Sequence, residues 1–332
     1  MRRSSYFLLC SGLAAVLAAT FIFALKVGEM NLPLIRTFAD FFSGHKTDAT
    51  VILMDIRLPR AILAVLVGGT LGLAGAAMQG LLRNPLAEPG VLGVTGGAAL
   101  GAVVVFYSGL ASCFALALPA GGMLGAFLSV FLLYLFAGYM SNVQTLILAG
   151  VALNTLAFAG TSLALNLSHN PYASLEIVYW QMGSLADRSF HHVALVLPFI
   201  LAGWILFLWD SHALDVLTLG DETAASLGIS LRKLRNRLIW ATALSVGAAV
   251  SVCGSIGFVG LVVPHLLRPF VKNEQSKLLG TSALGGAIML LLADTGVRLI
   301  PTVVELKLGV LTSLVGAPFF IALIFKMRRS MT

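Results

Sequence analysis

Long apolar stretches alternate with short polar segments along almost the entire chain. A membrane-spanning helix needs about 20 apolar residues, and fewer when it is a short or broken helix packed inside a bundle. The pattern therefore predicts ten spans. They cover residues 6–25, 61–82, 91–108, 114–137, 143–166, 192–209, 237–253, 257–267, 278–297 and 308–326. The third and the eighth are short and rich in glycine, and a hydropathy window alone can miss one of them.

The composition indicates a membrane protein. The 332 residues are 58% hydrophobic and 11% charged, whereas a soluble domain carries about 25% charged residues. No water-soluble fold can hide so much apolar surface, so we expect an all-α polytopic membrane protein with one transmembrane domain over residues 1–332. The 34 glycines fit this class, because glycine lets membrane helices approach each other closely.

The first apolar run allows two interpretations. "MRRSSYFLLCSGLAAVLAATFIFALK" has the positive start and apolar middle of a signal peptide. Its apolar run of about 20 residues is long for that purpose, and "FIFALK" is a poor cleavage site. An uncleaved first span is therefore favoured.

Basic residues at the span ends predict the topology. With ten spans, both termini and two groups of basic residues between spans share one side. They are Arg2, Arg3, Arg232, Lys233, Arg235, Arg237, Arg268, Lys272, Lys277, Lys326, Arg328 and Arg329. The opposite side holds Lys26, Arg36, Lys46, Arg57, Arg60, Arg188, Arg298 and Lys307. Because cytoplasmic loops carry the excess of Lys and Arg, we expect both termini in the cytoplasm.

Two parts of the chain are weakly similar to each other. "RLPRAILAVLVGGTLGLAGAAMQ…PGVLGV" begins at span 2, and "RNRLIWATALSVGAAVSVCGSIGFVGLVVP" begins at span 7. Each has an arginine pair, a helix of small residues, and a glycine-containing turn into a short helix. Five spans separate the two copies, so the second is inverted, as in many transporters. Chance similarity is the alternative.

Two polar segments on the predicted cytoplasmic side are candidate working parts. The loop after span 2, "RNPLAEPGVLGV", is either a simple turn or the constriction of a pore formed by Asn84, Pro85 and Leu86. Glu88 is expected to cap the helix that follows it. Residues 213–238 predict two short amphipathic helices, "DETAASLG" and "SLRKLRNRL". These form either an interfacial segment on the bilayer or a docking site for a cytoplasmic partner.

Six blocks together resemble one family. They are "RLPRAILAVLVGGTLGLAGAAMQGLLRNPLAEPGVLGV", "LILAGVALN", "LGDETAASLGI", "GSIGFVGLVVPHLLR", "LLLADTGVRL" and "GVLTSLVGAPFFIALI". In order and spacing, from about residue 55 to the end, they are similar to the FecCD-type permeases. These are the membrane subunits of binding-protein-dependent ABC importers for iron–siderophore complexes, haem and cobalamin.

The resemblance implies an architecture and a set of partners. It implies ten helices per subunit in the lipid bilayer of a bacterial inner membrane and a homodimer around a central pathway. Two copies of a cytoplasmic ATPase would dock on the loop at about 213–236, with Gly220, Glu222, Ala225 and Gly228 at recognisable positions. Asn84 and Leu86 match the inner gate of the family. The loop "MSNVQT" departs from the family pattern, which leaves a gate role for Asn142 to Thr145 open.

The resemblance also gives a role to three arginines on the predicted outer face. Arg57 and Arg60 in "DIRLPR", together with Arg298, match positions that meet glutamates on the two lobes of a periplasmic binding protein. A planar guanidinium can pair with a carboxylate through two parallel bonds, which sets orientation as well as affinity. The alternative for Arg298 is a local pair with Asp294, four residues earlier on the same helix.

Catalytic, metal and nucleic-acid functions have no support in the sequence. There is no GxxxxGK[ST] phosphate loop, so we expect a non-enzyme whose ATP hydrolysis belongs to another subunit, with no cofactor. Cys10, Cys113 and Cys253 are far apart, and no third ligand accompanies His191 and His192 at a suitable spacing. The basic residues are scattered rather than clustered as on a nucleic-acid face.

The substrate class follows from frequency within the family rather than from residues. More family members carry iron complexes, so a ferric siderophore or haem is favoured, with cobalamin as the alternative. An ion-coupled secondary transporter is the rival from another class. It needs buried acids, and Asp294 is the one acid well inside a predicted span.

Overall fold

The predicted all-helical architecture is confirmed by a computed structural model. It describes residues 3–28, 30, 32–112, 114, 116–138, 142–168, 171–209, 211–301 and 305–329, which form helices and loops without a β-strand. The predictions about Arg2 and Cys113, and about the side chains of Arg3, Lys326, Arg328 and Arg329, lie outside the described residues.

Each of the ten predicted spans coincides with a helix. Spans 1 to 5 are Arg3–Lys26, Leu58–Leu82, Val94–Tyr107, Ala117–Ala137 and Val143–Leu167. Spans 6 to 10 are Phe190–Trp209, Leu231–Cys253, Val259–Leu267, Gln275–Leu299 and Leu308–Arg329. Seven of these helices are long and apolar enough to cross a membrane, and spans 3, 8 and 10 contribute the shorter apolar helices.

Short helices connect the spans. The helices Leu34–Phe42 and Asp48–Val51 and the π-helical turn Ile52–Arg57 lead into span 2. Pro171–Gln181 precedes span 6, and Ser211–Leu217 and Asp221–Ser226 lie between spans 6 and 7. The 3₁₀ turns are Pro89–Leu92, Leu110–Ser112 and Arg268–Val271.

The prediction of a second, separate short helix in the polar segment 213–238 is wrong. "SLRKLRNRL" is the first part of span 7, which runs without a break from Leu231 to Cys253. No glycine or proline separates the basic segment from the apolar run. Its leucines continue the buried stripe of the span, since Leu234 and Leu238 are 3% and 0% exposed. The predicted helix at "DETAASLG" is confirmed as Asp221–Ser226.

The span ends gather on two sides, as a ten-span topology requires. On one side Arg57 Nη1, before span 2, donates to the carbonyl of Leu25 in span 1 at 3.0 Å. On the other, Arg83 after span 2 pairs with Asp221 before span 7 at 2.9 Å. We name these sides the outer face and the inner face, following the predicted orientation.

Span 2 is the centre of the bundle, whereas span 1 lies at its edge. The most apolar stretch of the helix that ends at Leu82 is 89% buried, against 11% for that of span 1. Glycines allow this depth of packing. A methyl group on Gly68 would overlap the carbonyl of Gly286, and one on Gly72 would overlap the carbonyl of Ser282. Spans 2 and 9 therefore meet backbone to backbone.

We expect Gly72→Val to destabilise the fold, because a branched side chain must push span 9 away from span 2. Overpacking of this kind costs about 1–3 kcal/mol, which a lower melting temperature in detergent would show. Gly12→Val in span 1 is the matched control, because no atom lies within 4 Å of the added Cβ. Equal melting temperatures for the two variants would contradict the close packing of spans 2 and 9.

Candidate docking, coupling and gating sites

A cluster of charged residues joins three elements at the outer face. Arg60, in the first turn of span 2, donates from Nε to both carboxylate oxygens of Asp294 in span 9, at 2.9 and 3.1 Å. Its Nη2 pairs with Glu305, in the segment before span 10. Asp294 is 1% exposed in its side chain, Arg60 12% and Glu305 33%. Arg60 thus has one buried and one accessible carboxylate partner.

Arg298 has the local pair with Asp294 that its spacing predicts, at 3.3 Å. Its Nη1 also donates to the carbonyls of Ala24 and Val27, both at 3.0 Å. Ala24 is in the last turn of span 1 and Val27 directly follows it, where backbone acceptors lack helical partners. Arg298 therefore fastens span 9 to the end of span 1.

Arg57 is a buried connector rather than a free group. The sequence predicted an arginine available to a carboxylate of the binding protein, but the residue is 6% exposed. Its guanidinium donates to the carbonyls of Leu25, Lys26 and Met30 at 3.0, 2.9 and 2.6 Å. The end of span 1 supplies unpaired carbonyls next to the guanidinium, which the sequence alone does not reveal. Docking through Arg57 stays a prediction, and it requires these bonds to be exchanged.

The three arginines border a cavity of about 530 Å³ at the outer face. Glu305 lines the same cavity, together with apolar residues of the segment before span 2 and of the end of span 9. Three cations and the two carboxylates of Asp294 and Glu305 leave this group one positive charge in excess. The cavity is therefore suited to a carboxylate group from outside.

The helix Asp221–Ser226, which we name the coupling helix after its predicted role, lies at the inner face between two glycines. Gly220 (φ +109°) and Gly228 (φ +85°) adopt backbone conformations that a side chain disfavours. Ala224 is 0% exposed, whereas Glu222, Ala225 and Gly228 face outward. Leu219 and Leu227 add apolar surface at the two ends, 64% and 61% exposed. The four predicted coupling residues thus lie in an exposed surface or at its edges.

Asp221 connects the coupling helix to the bundle. Its carboxylate pairs with Arg83 at the end of span 2 and with Arg235 in span 7, at 2.9 and 2.8 Å. In the preceding helix, Asp215 accepts the backbone N–H of Ser276 at the start of span 9, at 2.9 Å. Sequence reasoning missed Asp221, although an acidic residue after a turn glycine and basic residues in the next helix were visible signals.

The predicted gate residues form a tight turn at the inner end of span 2. The side-chain oxygen of Asn84 accepts the N–H of Leu86 at 2.9 Å. Arg83, at the end of the helix, is in the left-handed conformation (φ +49°). Asn84 is exposed and Leu86 is half-buried. At the start of span 5, Asn142 caps the helix by accepting the N–H of Thr145 at 2.8 Å.

Glu88 does not cap the turn that follows it. It makes no side-chain bond to the turn Pro89–Leu92 that follows it, and instead accepts a backbone hydrogen bond from Phe258. Phe258 is the N-cap residue of span 8. Spans 2 and 8 pack closely here, since a methyl on Gly75 would overlap the backbone of Gly260. Tertiary packing thus brings Phe258 to Glu88.

Two adjoining cavities run along one side of the chain. One of about 700 Å³ is lined mainly by span 10, and one of about 510 Å³ by spans 3 and 5. Both include Gln181 and Ser255. Phe158 and Leu314, which line them, are 72% and 64% exposed, so the cavities lie at the surface of the single chain. Glu88 is the one charged group among the described lining residues.

The two histidines in the first turn of span 6 are not arranged as a metal site. His192 Nδ1 lies 3.2 Å from both the N–H and the hydroxyl of Ser189, which precedes the helix. His191 is exposed. Within the described part of the chain, no group of three His, Cys, Asp or Glu side chains is placed to hold a metal ion.

These features define a class: a multi-span permease with charged contact surfaces at both faces and lateral cavities between them. The FecCD transport family matches residues 16–326, so the chain belongs to that family of ABC importer permeases. It is 40% identical to the ABC transporter permease YvrB of Bacillus subtilis (strain 168), over 94% of this chain and 92% of YvrB.

Named relatives transport different cargoes. The hemin transport permease HmuU of Yersinia pestis is 39% identical, with 92% of each chain covered. The vitamin B12 import permease BtuC of Citrobacter koseri is also 39% identical, with 87% of each chain covered. Among solved structures, a metal-chelate-type ABC transporter in an inward-facing conformation matches with a TM-score of 0.85 and 32% identity, over 97% of this chain and 99% of that one.

Proposed function

We propose that the chain is the permease subunit of an ABC importer for an iron complex, either a ferric siderophore or haem. In this proposal two copies form the pathway, two ATPase subunits bind the inner face, and a periplasmic binding protein delivers cargo to the outer face. The observation that carries the proposal is the family match over residues 16–326, combined with exposed contact surfaces at both ends of the bundle.

The lateral cavities support a pathway between two copies. They lie on the surface of one chain and are lined by spans 5 and 10, so a second copy would enclose them. Their walls carry neutral side chains apart from Glu88, which the backbone of Phe258 holds. Such walls bind a large chelate weakly, and weak binding suits passage because the cargo must also leave. Selectivity would then reside in the binding protein.

The outer charged cluster supports docking of a binding protein that presents carboxylates. Arg60 is its partly accessible cation, and Arg57 and Arg298 line the same cavity. At the inner face, the exposed surface with Glu222 and Ala225 would bind the ATPase, and Asp221 would pass its movement to spans 2 and 7. Asn84 and Leu86 lie next to Arg83, so the predicted gate is within reach of that movement.

The rival function, ion-coupled secondary transport, loses its main support. It requires a buried acid free to bind an ion, but Asp294 pairs with Arg60 and Arg298. Cobalamin is the second candidate cargo, because the vitamin B12 and hemin relatives are equally similar to this chain, at 39% identity.

Reversing the charge of Arg60 should weaken docking. In Arg60→Glu, the new carboxylate faces Asp294, Glu305 and an acidic partner. We therefore expect the affinity of the folded variant for the cognate binding protein to fall by at least about tenfold at low salt. Surface plasmon resonance on nanodisc-embedded permease would measure it. Arg36→Glu on the exposed outer helix Leu34–Phe42 is the matched control. Unchanged affinity of the Arg60 variant at low salt would contradict docking at this site.

Competition between cargoes tests the substrate class. Proteoliposomes holding the permease, its ATPase and its binding protein should accumulate a radiolabelled ferric siderophore or haem when ATP is supplied. Excess unlabelled cyanocobalamin should leave that uptake unchanged. If the proteoliposomes accumulated cobalamin but neither the ferric siderophore nor haem, cobalamin would be the cargo instead.

A further inference from the structure

Glu305 occupies a distinctive position in the outer cluster. Arg60 has two carboxylate partners that differ in accessibility, Asp294 at 1% and Glu305 at 33% exposed. Asp294 is held inside span 9 and also pairs with Arg298. Glu305 comes from the segment between spans 9 and 10 and lines the outer cavity together with the three arginines.

The two bonds of Arg60 use different edges of its guanidinium. Nε points to Asp294 in the interior, and Nη2 points to Glu305 at the cavity. An incoming carboxylate therefore finds the cavity-side position of Arg60 already filled by a group of the same chemistry. An ion pair with a partly exposed partner contributes little net stability, so one carboxylate can replace the other at small cost.

We propose that Glu305 is an internal competitor for docking: it pairs with Arg60 in the free permease, and a carboxylate of the binding protein displaces it. This inference rests on the proposed docking function. It identifies Glu305 as the residue that limits the affinity of the permease for the binding protein. While bound, Glu305 holds Nη2 of Arg60 at the cavity. A partner without a suitably placed carboxylate cannot complete the exchange, so Glu305 favours specificity at the expense of affinity.

Glu305 is also close in sequence to a wall of the pathway. Glu305 lies three residues before Leu308, the first residue of span 10, whose N–H bonds the carbonyl of Gly183 at 2.9 Å. Gly309 bonds Met182 in the same way, at 3.0 Å, and also lines the larger lateral cavity. Glu305 is therefore close in sequence to the contacts that fix the start of span 10 beside this cavity.

The test measures affinity of the cognate binding protein for nanodisc-embedded permease at low salt. Glu305→Gln keeps the shape and removes the competing charge, so we expect affinity to rise by about three- to fivefold, the upper range of an exposed ion pair. Glu176→Gln removes the same charge from the exposed helix Pro171–Gln181 of the outer face and should change affinity by less than about twofold. In an Arg60→Lys background, which keeps a charge beside Asp294, the gain from Glu305→Gln should largely disappear.

The outcomes separate this inference from the docking proposal. A loss of affinity in Glu305→Gln would overturn the inference, because it would make Glu305 a direct contact for the partner. Unchanged affinity in Glu305→Gln, with weakened binding in Arg60→Lys, would also overturn it while leaving docking at Arg60 intact. If neither Arg60→Lys nor Arg60→Glu weakened binding, the docking proposal itself would fail.

Discussion

Replacing Asp221 by asparagine is expected to cut ATP-driven uptake by about tenfold or more while the chain remains folded. The carboxylate joins the coupling helix to span 2 through Arg83 and to span 7 through Arg235. Both pairs are partly exposed, so their loss costs about 1 kcal/mol of stability or less each. Transport depends instead on movement passed from the ATPase to the spans. Coupling between two sites typically changes the affinity at one of them by 5- to 150-fold, so we expect its loss to affect uptake more than stability.

Uptake and ATP hydrolysis should be measured together in proteoliposomes that hold the complete transporter. In Asp221→Asn, hydrolysis should continue while uptake falls, because the ATPase still binds the exposed surface but no longer moves the spans. Glu274→Gln is the control, since this inner-face acid forms its described ion pair with Lys277, three residues along the chain. Normal uptake in Asp221→Asn would show that movement reaches the bundle by another route.

Replacing Arg60 by methionine should lower the free energy of unfolding by about 3 kcal/mol, because it leaves a buried carboxylate with one partner fewer. Asp294 is 0% exposed overall and would keep only its 3.3 Å pair with Arg298. Thermal unfolding in detergent would measure the loss. Arg36→Met, at an exposed position of the outer helix, should leave the melting temperature unchanged.

A double substitution separates the buried charge from lost packing. In Arg60→Met/Asp294→Leu the uncompensated carboxylate is gone, and apolar replacement of a buried ion pair is often neutral. We therefore expect the double variant to recover part of the lost stability, because Arg298 loses its carboxylate partner but keeps its bonds to the carbonyls of Ala24 and Val27. If it melted as low as Arg60→Met alone, the loss would come from packing around Arg60 and not from the carboxylate of Asp294.

The sequence predicted the ten helices well because a membrane leaves few alternatives for an apolar run. Even the short spans 3 and 8 were recognisable, since their glycines and prolines mark the turns that precede them. The predicted start of span 7 was wrong because the helix extends beyond the apolar run into a segment of charged residues, which hydropathy does not assign to a span. Its buried leucines, Leu234 and Leu238, were the available signal.

The contacts between distant residues could not be predicted in the same way. Arg60 and Glu305 are 245 positions apart, and Arg83 and Asp221 lie in different halves of the chain. Their pairing depends on which spans pack together, and hydropathy does not determine that. Arg57 shows the same limit, because the carbonyls that hold it belong to span 1 and are unpaired only as a consequence of helix geometry.

The most direct test of the central claim is solute uptake by the purified chain in proteoliposomes, with and without its ATPase and binding protein. We predict ATP-dependent accumulation when all three are present, and none from the chain alone under either ATP or a proton gradient. Accumulation by the chain alone, driven by the proton gradient, would contradict the assignment of this protein as a permease that depends on partners at both faces.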